Sequence, residues 1–226
     1  EVVAAAKADS SLVINWNVKR VSTSETEDSM VYLEVFGQKL YFNTLAAAVD
    51  MAQDGAVITF VKKNATIVGA AVDGRSTVKY GTDGQPVEFD RDKNNGRSGS
   101  LTIDFNGCTY SIDGTIMLAG SNGHASQGMR FAAKQNVTLK NGTLQVKKNV
   151  LMLINNYSTL TIDNMTLDGS NISLAKGAYT LSTNTNDVVI NNSTVIAKEG
   201  EGNYAFDVFD VGAWGKSGYQ GSHTVT

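Results

Sequence analysis

The side chains best equipped for chemistry fall in two stretches. Asp73, Asp83, Glu88, Asp90 and Asp92 bring carboxylates close together in the chain, with Arg91 and Arg97 beside them. Carboxylates facing one groove can serve as acid and base, or as nucleophile, in glycoside hydrolysis. The same oxygens can hold Ca2+, while a nearby Arg or Lys removes the proton next to a uronate carboxylate. Asp90 and Asp92 would share a face if their segment were extended. However, the run from Asp90 to Ser100 mixes charge with Asn and Gly, as solvated connections do, so a surface loop is expected. No Asp-x-Asp-x-Asp-Gly loop supports Ca2+, and His124 and His223 are too few for a histidine metal site. His124 lies in a Gly/Ser-rich run and is expected to be an exposed loop residue. Neither metal nor cofactor is expected. The second stretch, Tyr204 to Tyr219, is aromatic. Tyr204, Phe206 and Val208 alternate and are expected to point inward. Trp214 and Tyr219 sit among glycines, where no alternation forces them inward, and with Asp210 they could stack on and hydrogen-bond a sugar. The structural alternative is that Trp214 closes the end of the fold or meets a partner subunit.

Such side chains need a frame, and the frame is written as a repeat. Val137 to Val146, Leu160 to Gly169 and Val188 to Ala197 each alternate apolar with polar, reach an Asn, skip one residue, then resume at Thr. A fourth copy, Leu101 to Ile112, carries one extra residue before its Asn. The bend residues Asn106, Asn141, Asn164 and Asn192 are separated by 35, 23 and 28 positions. Periods of this size mark stacked units that bury their apolar faces against one another. The internal period of two makes the units strands. Asn tolerates the left-handed backbone a tight bend requires. A further short strand precedes each copy, at Met129–Ala132, Val150–Ile154, Tyr179–Ser182 and Tyr204–Val208. About three strands per turn in parallel register predict an all-β fold, a right-handed parallel β-helix.

On these residues the chain resembles the pectin-lyase-like β-helix superfamily, which includes bacterial surface adhesins and phage fibres, over roughly 41–226. The resemblance implies two enzyme classes, polysaccharide lyases and glycoside hydrolases. The residues that would carry either are not in place. There is no tandem Asp-Asp, no Arg-Ile-Lys and no Asn-Thr-Asp. Asp104 and Asp163 match in the repeat, but Lys140 and Asn191 fill that position in the other copies, so no row of carboxylates is built in.

Upstream, Asn43 or Thr44 reads as the N-cap and Gly55 as the stop of a short helix within 43–54, with Leu45, Val49 and Ala52 on one face. That helix is expected to cap the first turn. Residues 1–40 form a separate expected unit, a small β-hairpin. Leu12, Ile14, Trp16 and Val18 alternate, as do Val31, Leu33 and Val35, across a polar connection. The expected domains are thus 1–40, an attachment or oligomerisation element, and 41–226. An apolar strip around Trp16 and Tyr32 would favour assembly.

Composition narrows the classes. A net charge of −3 argues against a nucleic-acid partner. No apolar run reaches the length of a membrane-spanning helix. The single Cys108 excludes an internal disulfide and reads as a small packed side chain. Gly 22 against Pro 1 suits a sheet-rich chain with many tight turns. Asn-x-Thr triplets such as Asn136-Val-Thr and Asn164-Met-Thr follow from the bend pattern and do not imply glycosylation. Starting at Glu1, the chain is expected to be a mature product or an excised segment, with more chain or another subunit beyond Thr226. The expectation for function is a non-catalytic structural or adhesion module outside a cell or on a virion. Its expected partners are copies of itself, a trimer above all, or a larger surface assembly, and glycans. The alternative is an enzyme acting on acidic polysaccharide.

Overall fold

The computed structural model describes residues 21–35, 37–74, 97–114, 127–209 and 224–226, and the backbone of 77–80 and 86–90. These residues form a predominantly β structure with parallel sheets and one short helix. The chain crosses two sheets in alternation, five times. The first tier is β4 (Ala56–Phe60), β5 (Thr66–Gly69) and β6 (Val72–Asp73). The second is β9 (Ser98–Asp104), β10 (Thr109–Asp113) and β11 (Met129–Phe131). The third comprises β12 (Lys134–Lys148) and β13 (Met152–Asn156), and the fourth β14 (Thr159–Asp168) and β15 (Tyr179–Thr183). The fifth is β16 (Val188–Asn191), β17 (Thr194–Ile196) and β18 (Tyr204–Val208). In the first sheet β4, β9, β12, β14 and β16 pair in that order, all parallel. Past the bend, β5, β10, β12, β14 and β17 do the same. The second sheet runs β6, β11, β13, β15, β18.

Parallel register puts like residues over like. Ile58, Ile103, Leu139, Ile162 and Ile190 form one inward row. Ile67, Tyr110, Leu144, Leu167 and Val195 form a second, and Val72, Met129, Ile154, Leu181 and Phe206 a third. Ile58, Val72 and every member from the middle three tiers are buried, whereas Ile67, Ile190 and Val195 are half-buried and Phe206 is exposed. Each buried Ile or Leu contributes about 1.5–3 kcal/mol. Between the first and second tiers Phe60 and Phe105 stack at 5.2 Å, and Tyr110 donates its hydroxyl to the Ala70 carbonyl at 2.8 Å. Burial pushes the Tyr110 pKa up.

The helix α1 (Leu45–Met51) starts at Thr44, whose hydroxyl accepts from the Ala47 amide at 3.2 Å. Ala46, Ala47 and Ala48 favour the helix intrinsically. Gly55, with φ of 77°, turns the chain into β4. Arg97 donates to the carbonyls of Asp50 and Ala52, so it ties the end of α1 to the second tier. Burial pulls its pKa down, against the opposing pull of the Asp50 carboxylate.

Three details differ from the sequence reading. β2 (Val31–Val35) pairs antiparallel with β3 (Gln38–Phe42) and also with β4, so the upstream strands extend the first sheet. Val31 and Leu33 share its core. Part of the expected acidic loop is strand. β8 (Pro86–Asp90) pairs antiparallel with β7 (Thr77–Tyr80), and β9 begins at Ser98. Finally, Tyr204, Phe206 and Val208 are about half exposed rather than buried. Phe206 does lie in register with buried Leu181, but no described strand covers β18 on its far side.

Candidate functional site

The bends between the two halves of the first sheet build a groove. Asn106, Asn141, Asn164 and Asn192 all have positive φ, between 47° and 62°. Left-handed backbone costs most side chains about 1–2 kcal/mol and Asn less. Asn64 adopts the same conformation, with φ of 54°, and places a fifth Asn in the row. Ladder bonds cross the bend: the amides of Asn64 and Gly107 donate to the carbonyls of Asn106 and Asn141, at 3.3 and 2.7 Å. Side-chain amides link the tiers as well. Asn164 Nδ2 donates to Asn141 Oδ1, and Asn141 Nδ2 to Asp104 Oδ1, both at 3.2 Å. Asn106 Nδ2 donates to the Phe60 carbonyl at 3.0 Å.

Tight packing under the bend fixes its shape. A Cβ at Gly142 would lie 2.4 Å from Phe105 Cβ and 2.5 Å from the Cys108 carbonyl. Cys108 is fully buried and its thiol donates to the Lys62 carbonyl at 2.6 Å. Just past the bend, Thr66, Thr109, Thr143, Thr166 and Thr194 occupy one register position in five successive tiers. The Asn row and part of this Thr row line an open groove of about 530 Å³. Lys63 and Asp104 are the only charged residues of its lining. Asp104 is partnered by Lys140 Nζ at 3.4 Å.

An amide carries two donors and two acceptor sites, so each Asn keeps capacity after its bond along the row. The groove therefore offers neutral donors and acceptors at a repeat of about 4.8 Å, the spacing of neighbouring strands. It suits binding of a polyhydroxylated surface. It contains no nucleophile paired with a base.

The second sheet carries a different polar row on its opposite-parity positions: Asp73, Arg130, Asn155, Ser182 and Asp207. Arg130 Nη1 lies 3.4 Å from Asp73 Oδ2. Asn184 Nδ2 donates to Asn155 Oδ1, and Asn155 Nδ2 to Gln127 Oε1, both at 2.8 Å. Burial pushes the Asp207 carboxyl up, against hydrogen bonds from Ser182 and the backbone. Its Oδ1 is buried with no hydrogen-bond partner.

Of the residues singled out by sequence, Trp214, Tyr219, Asp210, Asp83, Asp92 and His124 lie outside the described residues, as does Trp16. Glu88 and Asp90 lie on β8, opposite Lys79 and Thr77. Asp73 is in the second sheet. Among the described residues no three His, Cys, Asp or Glu side chains converge on a metal position. The sequence pattern identifies the Thr that follows each of the four bend Asn residues but leaves out Asn64 and its Thr66. The signal was there, since Asn64-Ala-Thr66 has the Asn-x-Thr spacing of Asn141-Gly-Thr143. The run before it, Val57 to Lys63, is longer than in the other copies and hid the alignment. Tyr179 and Tyr204 were likewise missed as a pair; their rings stack at 5.3 Å and 15° on adjacent tiers. No family model, curated protein or solved structure matches the chain.

Proposed function

We propose that the chain is a right-handed parallel β-helix of the pectin-lyase-like type, acting as a non-catalytic structural and adhesion module. In this reading it is displayed on an exterior surface, that of a virion or a bacterial cell, forms a homo-oligomer such as a trimer, and contacts glycans. The handedness follows from the strong right-handed preference of parallel strand connections. The observation that carries the functional part is the Asn groove: polar, open, largely uncharged and repeated in every tier.

The hydrolase alternative needs two carboxyl groups on one substrate. In the second sheet Asp73 and Asp207 share a row, but four strand spacings separate them, about 19 Å. Glycosidase carboxyl pairs lie about 5–9.5 Å apart. Asp104 shares its row with Asp163, two strand spacings or about 9.6 Å away, but Lys140 stands between them and pairs with Asp104 at 3.4 Å.

The deciding experiment is incubation of the full chain with a panel of neutral and acidic polysaccharides, scored for retention and for new reducing or unsaturated ends. Retention without cleavage is the expected result. Cleavage of any member would overturn the non-catalytic reading. Light scattering of the full chain tests assembly, where a monomer at all concentrations removes the oligomer.

A further inference from the structure

We infer that the Asn groove binds a linear, uncharged glycan lying along the stacking direction, one sugar unit per tier. This rests on the glycan-contact reading above and specifies its ligand and geometry. The groove is periodic. Each tier presents an amide at the bend and a Thr hydroxyl two or three positions later, and the next tier repeats them about 4.8 Å away. A ligand using every tier must therefore repeat at nearly the same interval. An extended peptide advances about 3.3 Å per residue, or nearly 7 Å per like-facing pair, and falls out of step. A pyranose chain with equatorial β-1,4 linkages advances by roughly one strand spacing per sugar and turns over at each linkage, so like edges recur about every second tier, and both edges carry hydroxyls to match the amides and Thr hydroxyls.

Charge selects within that class. The lining has one cation, Lys63, and one carboxylate, Asp104, both toward the first tiers. Asp104 is neutralised by Lys140. From Asn141 to Asn192 the polar lining groups are amides and hydroxyls alone. A uronate chain would place a carboxylate on every tier, with Lys63 alone to meet them and with their hydration lost. Nucleic acid fails on the same count. The volume of about 530 Å³ falls among those of ordinary ligand sites.

The test is calorimetric titration of the full chain with β-1,4-linked neutral oligosaccharides of increasing length, and with oligogalacturonides of the same lengths. Affinity is expected to rise with each added sugar until the chain spans the tiers, then level off, with the uronates weaker at every length. Thr143→Val and Thr166→Val are each expected to lower affinity about fivefold, the loss of one hydrogen bond. Thr138→Val, on the same strand as Thr143 but in a different outward row, is expected to leave affinity unchanged. Circular dichroism checks that all three variants fold. Glycan binding that ignores length, or survives both groove substitutions, would overturn the axial site and leave glycan contact standing elsewhere. Absence of binding to any neutral or acidic glycan would overturn both.

Discussion

The two sides of the stack solve one problem in opposite ways. Each must turn the chain out of a sheet and satisfy the backbone groups exposed by the turn. At the bends of the first sheet the answer is repeated: Asn at positive φ in every tier, with side-chain amides linking Asn164 to Asn141 and Asn141 to Asp104. On the side of the second sheet the answer changes from tier to tier. Asn156 is fully buried there, and its Oδ1 accepts from both the amide and the hydroxyl of Ser158. One tier on, Asn186 donates to the carbonyls of Ala133 and Tyr157. Repetition gives a uniform, solvent-facing row with spare hydrogen-bonding capacity. Improvisation gives a partly buried network in which Asn156 and Asn186 are committed to specific neighbours. The first arrangement suits recognition and the second suits rigidity.

The sharpest way to break this contrast is in the buried network. Asn156→Ala strips two acceptor contacts from Ser158 inside the protein, where an unsatisfied group costs about 1–3 kcal/mol. A loss of about 3 kcal/mol is expected, read as a lower urea midpoint with an unchanged slope. Asn156→Gly is expected to be no better, because Asn156 is not among the positive-φ residues and its role is its amide. A loss under 1 kcal/mol would show that the second-sheet side is no more committed than the groove.

Next in size is Gly142→Ala. The added Cβ meets Phe105 Cβ and the Cys108 carbonyl at distances no packed structure tolerates. The bend must shift, at a cost of about 1–3 kcal/mol by thermal or urea unfolding. Because Gly142 lines the groove, glycan affinity should fall as well. A neutral result would mean that the bends are soft, against the uniformity assigned to them.

The same contrast explains what could be read from sequence. Identical residues at like positions leave a trace, so Asn106, Asn141, Asn164 and Asn192 stand out in the sequence alone. The inward alternation around them was legible for the same reason. Asn64 escaped because one longer run broke the alignment. Nothing in the sequence relates Asn155 to Gln127 or Asn184, since different residues at irregular intervals have no period. The antiparallel pairing of β2 with β4 was hidden too, for local alternation marks a strand but not its neighbour. Exposure of Phe206 was illegible because its alternation is that of a core strand. Only the absence of a described covering strand separates it from Leu181.

Smaller effects separate the backbone from the amide within the repeated row. Asn141→Ala keeps a side chain in left-handed backbone and removes both amide bonds, so about 1 kcal/mol should be lost. Asn141→Gly removes the same bonds but relieves the backbone, and stability should stay within about 0.5 kcal/mol of the parent. If both variants lose equally, the amide row itself stabilises the fold, and the division between a recognition side and a rigid side fails.

The smallest expected effect tests Asp207, the half-buried acid at the end of the second-sheet row. Burial raises the Asp207 pKa in the folded state, so folding favours its protonated form. A raised carboxyl pKa contributes stability that is fully present below the unfolded value near 3.8 and is lost as pH rises through the folded value. At neutral pH the charged carboxylate is therefore a liability, and its Oδ1 has no hydrogen-bond partner. Asp207→Asn removes the charge while keeping the shape and one acceptor for Ser182. It should raise the melting temperature at pH 7 by about 1–2 °C, discounted because the group is half exposed. The gain should vanish at pH 3, where the parent is already protonated. A gain of the same size at both pH values would trace the effect to packing. A loss at pH 7 would mean that the hydrogen bonds of the charged carboxylate with Ser182 and the backbone outweigh its burial.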